Sequence, residues 1–172
     1  EVYEYASFLQ STMHASGVVC SDCHDPHTTR RKAEGNAVCA TCHQPAVYDA
    51  TAHHHHRAGM EGAQCVSCHM PARYYMVVDK RRDHGFRVPR PDFSAKFGTP
   101  NACNDCHRDR PATWAAAAVV KWYGPSRTRG SVWVQAIAPG RRWQAGADAQ
   151  LVETVKSPST PAIVRATALD VL

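Results

Sequence analysis

Four five-residue words of the form Cys-x-x-Cys-His carry the chemistry of this sequence: Cys20 to His24, Cys39 to His43, Cys65 to His69 and Cys103 to His107. Two thiols three residues apart can each form a thioether with a haem vinyl group, and the adjoining imidazole can bind the iron, which makes this the attachment pattern of c-type haem. The four words use all eight cysteines of the chain. Chance would supply only about 0.02 such words in a chain of this composition. Structural zinc also uses paired Cys-x-x-Cys knuckles, but it does not require a histidine after each second cysteine. A disulfide across two intervening residues is a poor framework staple. A thioredoxin-like dithiol would stand once, beside a βαβ pattern. The expected cofactors are therefore four c-type haems held by Cys20, Cys23, Cys39, Cys42, Cys65, Cys68, Cys103 and Cys106, with iron bound on one side by His24, His43, His69 and His107.

Haem iron offers a second axial position. Seven histidines lie outside the motifs: His14, His27, His53 to His56, and His84. With the run of four treated as one locus, there are four loci for four irons. The candidate opposite ligands are His14, His27, one or more of the run, and His84. His27 follows Pro26 and should point away from its own haem toward a neighbour. Met70 directly follows His69 and cannot easily reach the far face of the same haem, and Met13 and Met76 suit packing. Bis-histidine ligation at low potential is the expectation.

The elements that position these residues have little room. The motifs span residues 20–107, about 22 residues for each haem. No ordinary side-chain core fits that ratio, so porphyrin should form most of the interior, wrapped by short, sparse secondary structure. The fold class expected is mostly α with much irregular structure: a haem-cored tetrahaem domain over residues 1–110, then an α-helical, solenoid-like segment over 111–172. That last segment contains no Cys, His or Met and so no iron ligand. The formal charge of +5 is a weak pointer to nucleic acid, because four bis-imidazole ferric haems with their propionates would bring it near neutrality. Arg30, Arg31, Lys32, Arg81, Arg82, Arg87 and Arg90 are candidates to pair with propionates. No apolar run approaches the ~18 residues of a membrane span.

Along the chain, residues 2–14 carry Tyr5, Phe8, Leu9 and Met13 at helical spacing, closed by Gly17. Residues 74–78 are aromatic and β-branched, as in a short strand. Residues 85–101, punctuated by Pro89, Pro91, Gly98 and Pro100, read as an extended connector. Helices are expected at 112–123, around 143–155, and at 162–172 with Thr160 as its cap. The last two, joined by Ser157-Pro158-Ser159, would form one αα-hairpin of a repeat array.

Four segments together resemble the haem region of large bacterial multihaem cytochromes of the cytochrome c554-like group that carry tetratricopeptide or HEAT-like repeats. They are GVVCSDCHDPH from Gly17, GAQCVSCHMP from Gly62, YMVVDKRRDHGFRVPRP from Tyr75 and GTPNACNDCH from Gly98. The resemblance covers roughly residues 1–124. It implies further haems upstream, repeats downstream, and a histidine run in which His53, His54 and His56 rather than His55 are ligand candidates. The function expected is electron transfer through four haems, as an electron carrier rather than an enzyme and as part of a longer conduit or filament. The alternative is a reductase of nitrogen or sulfur oxyanions with one open-coordinate haem. Partners would be redox proteins or other copies of the chain, with no nucleic acid. Covalent haem is installed outside the cytoplasm, so a periplasmic or extracellular place, reached by a signal not in this chain, is expected.

Overall fold

A computed structural model describes residues 4–125 and 133–172. About half of the chain is helical, with little sheet. It divides into two compact units, Glu1–Val88 and Pro89–Leu172. The fourth Cys-x-x-Cys-His word lies in the second unit, as does the expected boundary at 110/111.

The first unit is a string of single helical turns: α1 Glu4–Phe8, α2 Thr12–Ala15, α3 Cys20–Cys23, α4 Ala37–Ala40, α5 Pro45–Tyr48, α6 Thr51–His54 and α7 Cys65–His69. The expected helix over 2–14 is broken in its described part. Ser11, buried and in extended backbone, starts a new helix by accepting the His14 N–H on its hydroxyl at 3.0 Å. Serine competes with the helical ladder in this way, which is why it favours caps. Gly17, at φ +86°, closes α2 with the Val18 N–H bonded back to the Met13 carbonyl at 3.1 Å. That bond is the Schellman pattern.

The strand expected at 74–78 is met at Tyr74 and Tyr75, and its remainder is the turn of a hairpin. β1 Ala72–Tyr75 pairs antiparallel with β2 Asp79–Arg82, Tyr75 opposite Asp79, and residues 76–78 make the reversal. Met76 and Val77 take positive φ, 47° and 72°, a costly conformation for a β-branched residue. Val77 and Val78 stand out in solvent there.

The second unit has an ordinary core. The connector expected at 85–101 contains α8 Pro91–Phe97. Pro91 occupies its first turn and Gly98, at φ +68°, its end, so the residues read as breakers act here as start and stop. Phe93 and Phe97, four apart on one face, are buried. The Arg90 guanidinium lies 3.8 Å from the Phe93 ring centre and grips Asp92 with two bonds of 2.7 and 2.8 Å. α8 packs on α10 Ala112–Tyr123, which also receives α9 Ala102–Cys106. α10 follows the expected bounds.

Farther on, α11 Trp133–Gly140 has no counterpart among the expected helices. It packs with α12 Ala147–Lys156 and α13 Ala162–Val171 around Ala136, Leu151 and Ala168, flanked by Ile137, Val155 and Val171. Gly140 allows the closest approach, since a Cβ there would stand 2.8 Å from both Leu151 and Val171 methyls. Trp143, expected inside the helix, lies before it in left-handed backbone (φ 55°), exposed. Pro161 rather than Thr160 occupies the cap of α13. The Arg165 side chain donates to the Val155 carbonyl at 2.7 Å and so satisfies the end of α12. Among the described residues no helix is long and apolar enough to cross a membrane.

The second unit can be tested at its core and at its ion pair. Leu151→Ala empties a fully buried position and should cost about 2–5 kcal/mol, read as a loss of melting temperature in the second unit. The Arg90 hydrogen bonds hold the Asp92 carboxyl below the usual carboxylate range. A depressed carboxylate stabilises the fold above its unfolded pKa of about 3.9 and loses that contribution as pH falls toward its folded value. Asp92→Asn should therefore lower the melting temperature at pH 5 to 7. The gap to the unmutated chain should close below about pH 4, and a gap constant to lower pH contradicts the pairing.

Candidate haem-binding site

Each Cys-x-x-Cys-His word folds as one helical turn. The His N–H closes onto the carbonyl of the first cysteine at 2.9 Å in His24, His43 and His107, and His69 ends α7 itself. Residues i and i+4 share a helical face, so the first cysteine and the histidine stand on one side with the second cysteine beside them. The turns are capped by residues that the motif does not specify. The Asp22 carboxylate accepts the Val19 N–H at 2.8 Å, and the Asn101 side chain accepts the Asn104 N–H at 3.1 Å. The Asn36 side-chain oxygen accepts the Cys65 N–H at 2.9 Å, while its amide donates to Asp49 and the Ala63 carbonyl at 2.9 and 3.0 Å. Asn36 also precedes α4, so one side chain ties the second word to the third.

None of the eight thiols is in a disulfide. Three words of the first unit converge. Burial, then the neighbouring Cys65, pushes the Cys39 thiol up to about 11. Burial, then Asp22 and Cys42, raises Cys23. Among the described residues no group of three or more His, Cys, Asp or Glu could hold a bare metal ion.

The imidazoles are oriented by backbone carbonyls. His24 Nδ1 lies 2.8 Å from the Thr29 carbonyl and His69 Nδ1 lies 2.9 Å from the Arg87 carbonyl. A metal-binding histidine usually donates its other ring N–H to such a group, which leaves Nε2 as the lone-pair nitrogen. Local sequence explains both. After His24, the Asp25 carboxylate accepts the His27 and Thr28 N–H groups at 3.1 and 2.8 Å. These bonds, Thr28 first, keep Asp25 below the usual carboxylate range, and the turn they close presents the Thr29 carbonyl. Beside His69, the loop 83–87 is fixed by Asp83. This residue takes the Ser7 hydroxyl, the Gly85 N–H at 2.7 Å and Arg87 Nε at 3.3 Å. Burial pushes the Asp83 carboxyl up, and these donors outweigh it to leave it lowered.

The histidines outside the motifs are distributed as follows. His84 stands at this loop, Nδ1 3.0 Å from the Arg82 carbonyl, its ring centre 6.4 Å from that of His24. His53, at the end of α6, is nearly parallel to His69 with ring centres 6.1 Å apart. Tyr48 presents its edge to His53 at 5.5 Å and to His43 at 5.4 Å. His54 Nδ1 accepts the His56 N–H at 3.2 Å. The His56 ring lies against Gly62, where a Cβ would come within 2.4 Å of it. His55 takes the left-handed cap of α6. His14 packs edge-on to Phe8, and His27 is exposed on the Asp25 turn. In the second unit His107 lies 5.0 Å from the Trp114 ring centre, and Asn104 donates to the His107 and Arg110 carbonyls at 3.0 and 2.7 Å.

Several candidate propionate partners pair with carboxylates of the protein. Arg31 pairs with Glu34 at 2.6 Å, Arg81 with Asp79 at 2.6 Å, Arg87 with Asp83, and Arg90 with Asp92. Arg82 donates to the Val66 and Met70 carbonyls beside the third word. Sequence reasoning missed Asp25, Asn36, Tyr48, Asn101 and Asn104. The Asp-Pro-His-Thr stretch is a readable turn signal; the Asn36 contacts, 27 to 29 residues away, are not.

Residues 14–47, which include the first two words, match the family model described as the doubled CXXCH motif. Among curated proteins and solved structures nothing matches the chain. The motifs indicate covalently bound c-type haem in a multihaem cytochrome. Asn36→Ala leaves the Cys65 N–H and Ala63 carbonyl without their partner and should destabilise the first unit by about 1–3 kcal/mol. Thermal melting of the haem-loaded variant checks this; a melt unchanged from the parent contradicts it.

Proposed function

We propose that the chain carries four c-type haems and moves electrons between redox partners. The attachment residues are the cysteine pairs 20/23, 39/42, 65/68 and 103/106, with His24, His43, His69 and His107 on the irons. The opposite ligands come from His14, His27, the run at His53, His54 and His56, and His84. When bound, such haems supply one-electron ferric–ferrous chemistry.

The observation that carries this reading is the convergence of three attachment turns in a unit with almost no apolar core. Among the described residues up to Val88, the buried hydrophobic side chains are Phe8 and Ala63. Attachment sites whose thiols influence one another hold their cofactors close together, as stepwise electron transfer needs. Histidines on both sides of an iron leave no position for substrate, which favours a carrier over an enzyme. The fourth attachment turn belongs to the second unit, where the α8–α10 packing supports it. The three-helix cluster α11–α13 bears no ligand and suits docking to redox partners or to other copies of the chain, in a longer conduit or filament. Covalent haem attachment outside the cytoplasm suits a periplasmic or extracellular setting.

Intact mass and haem quantitation should give four haems per chain, with colour retained after acid–acetone extraction. The ferric protein should be low-spin throughout. Fewer than four haems contradicts the count, and a high-spin signal that shifts on adding nitrite supports the reductase instead.

A further inference from the structure

We propose that His24 and His84 take the two axial positions of the haem on Cys20 and Cys23, and that His69 and His53 take those of the haem on Cys65 and Cys68. The pairing rests on the haem reading above and deepens it.

Three independent features carry the assignment. The first is distance. Two imidazoles bound through Nε2 on opposite sides of one iron, each with a metal–nitrogen bond of about 2 Å and about 1 Å more to the ring centre, stand about 6 Å centre to centre. His24–His84 measures 6.4 Å, with ring planes at 35°, and His69–His53 measures 6.1 Å at 10°. The second is partnership. Each pair joins one motif histidine with one from outside the motifs, across 60 residues of chain in one case and 16 in the other. That is the combination an iron with one proximal and one distal ligand requires. The third is the tautomer. His24, His69 and His84 all have Nδ1 at a backbone carbonyl, Thr29, Arg87 and Arg82 in turn, which holds Nε2 as the lone-pair nitrogen. An offset aromatic stack also allows such centre distances, but in the first pair both rings, and in the second the motif ring, are tied by Nδ1 to a backbone carbonyl.

Within the histidine run the geometry disfavours His54 and sets His53 beside a motif histidine. His54 Nδ1 accepts a backbone N–H, so its neutral ring carries the proton on Nε2, the wrong form for an Nε2 ligand. His56 has Nδ1 at the His54 carbonyl, and its ring is held against Gly62. His53 stands nearly parallel to the motif histidine His69. Tyr48, edge-on to it, steadies its plane.

The assignment has a structural consequence. Loop 82–87 serves two haems at once: it presents His84 to the first and, through the Arg87 carbonyl, orients the proximal His69 of the third. Asp83 is then a positioning residue for both, with the Ser7, Gly85 and Arg87 donors as its means.

The test uses haem-loaded protein, with haem quantitation and EPR of the ferric state. His84→Gly should keep the parental haem count, convert one haem equivalent from low to high spin, and recover the low-spin spectrum on adding imidazole. Made in a Cys20→Ser/Cys23→Ser background, which lacks the first haem, the same change should add no high-spin signal. His53→Gly should behave likewise and fall silent in a Cys65→Ser/Cys68→Ser background. A glycine variant that stays fully low-spin, or a high-spin signal that survives in the matched cysteine background, overturns that pair. A parent protein without covalent haem overturns the functional reading rather than the pairing. Where a cysteine variant does not mature, a density map of the parent decides. His84 opposite His24 and His53 opposite His69 sustain the proposal, and any other residue on either iron ends it.

Discussion

The first unit is constrained by what it cannot bury. A segment of its size normally hides well over half of its unfolded surface behind a continuous apolar core. Here, among the described residues, Phe8 and Ala63 are the buried hydrophobic side chains, while Val19, Val47, Tyr48 and Met60 remain exposed. Helices of four or five residues cannot stand alone in water. In the proposed function, a porphyrin held by two thioethers and one imidazole would supply the missing apolar surface and crosslink the turn that carries it. The short turns, the carbonyl-anchored histidines and the asparagine caps suit a chain built around such plates.

Polar bonds then do the positioning that packing does elsewhere. The Asp25 turn delivers a carbonyl to His24, the Asp83 loop delivers another to His69, and Asn36 joins the second attachment turn to the third. Each device uses a short side chain to satisfy two or three polar groups at once. The arginines around them are largely matched by aspartates and glutamates of the protein. The second unit works by other rules. Leu151, Ala136 and Ala168 make a dry helical core, and Phe93 with Phe97 seats α8 on α10.

The attachment chemistry is legible in the motif spacing alone, because covalent geometry fixes it locally. Helix α10 is equally legible, since proline before it and glycine after it mark both ends. Helix α8 is not: seven residues are too short for a periodic signal, and its Pro91 and Gly98 also mark loops. The break at Ser11 is hidden because a serine cap and a serine inside a helix look alike in sequence. The hairpin 72–82 is masked by its own composition, since Val77 and Val78 favour strands yet form the turn. Histidine pairing lies beyond sequence altogether, since His24 and His84 meet across a fold that no local pattern encodes.

The central claim is that covalent haem forms the interior of the first unit while the second unit's helical core α11–α13 stands on side chains. Peptide-resolved amide hydrogen exchange on the haem-loaded protein and on the same chain made without haem attachment tests it most directly. The account predicts that peptides from residues 4–88 lose protection without haem, whereas those of α11–α13 keep it. Equal protection of residues 4–88 in both forms would contradict the account.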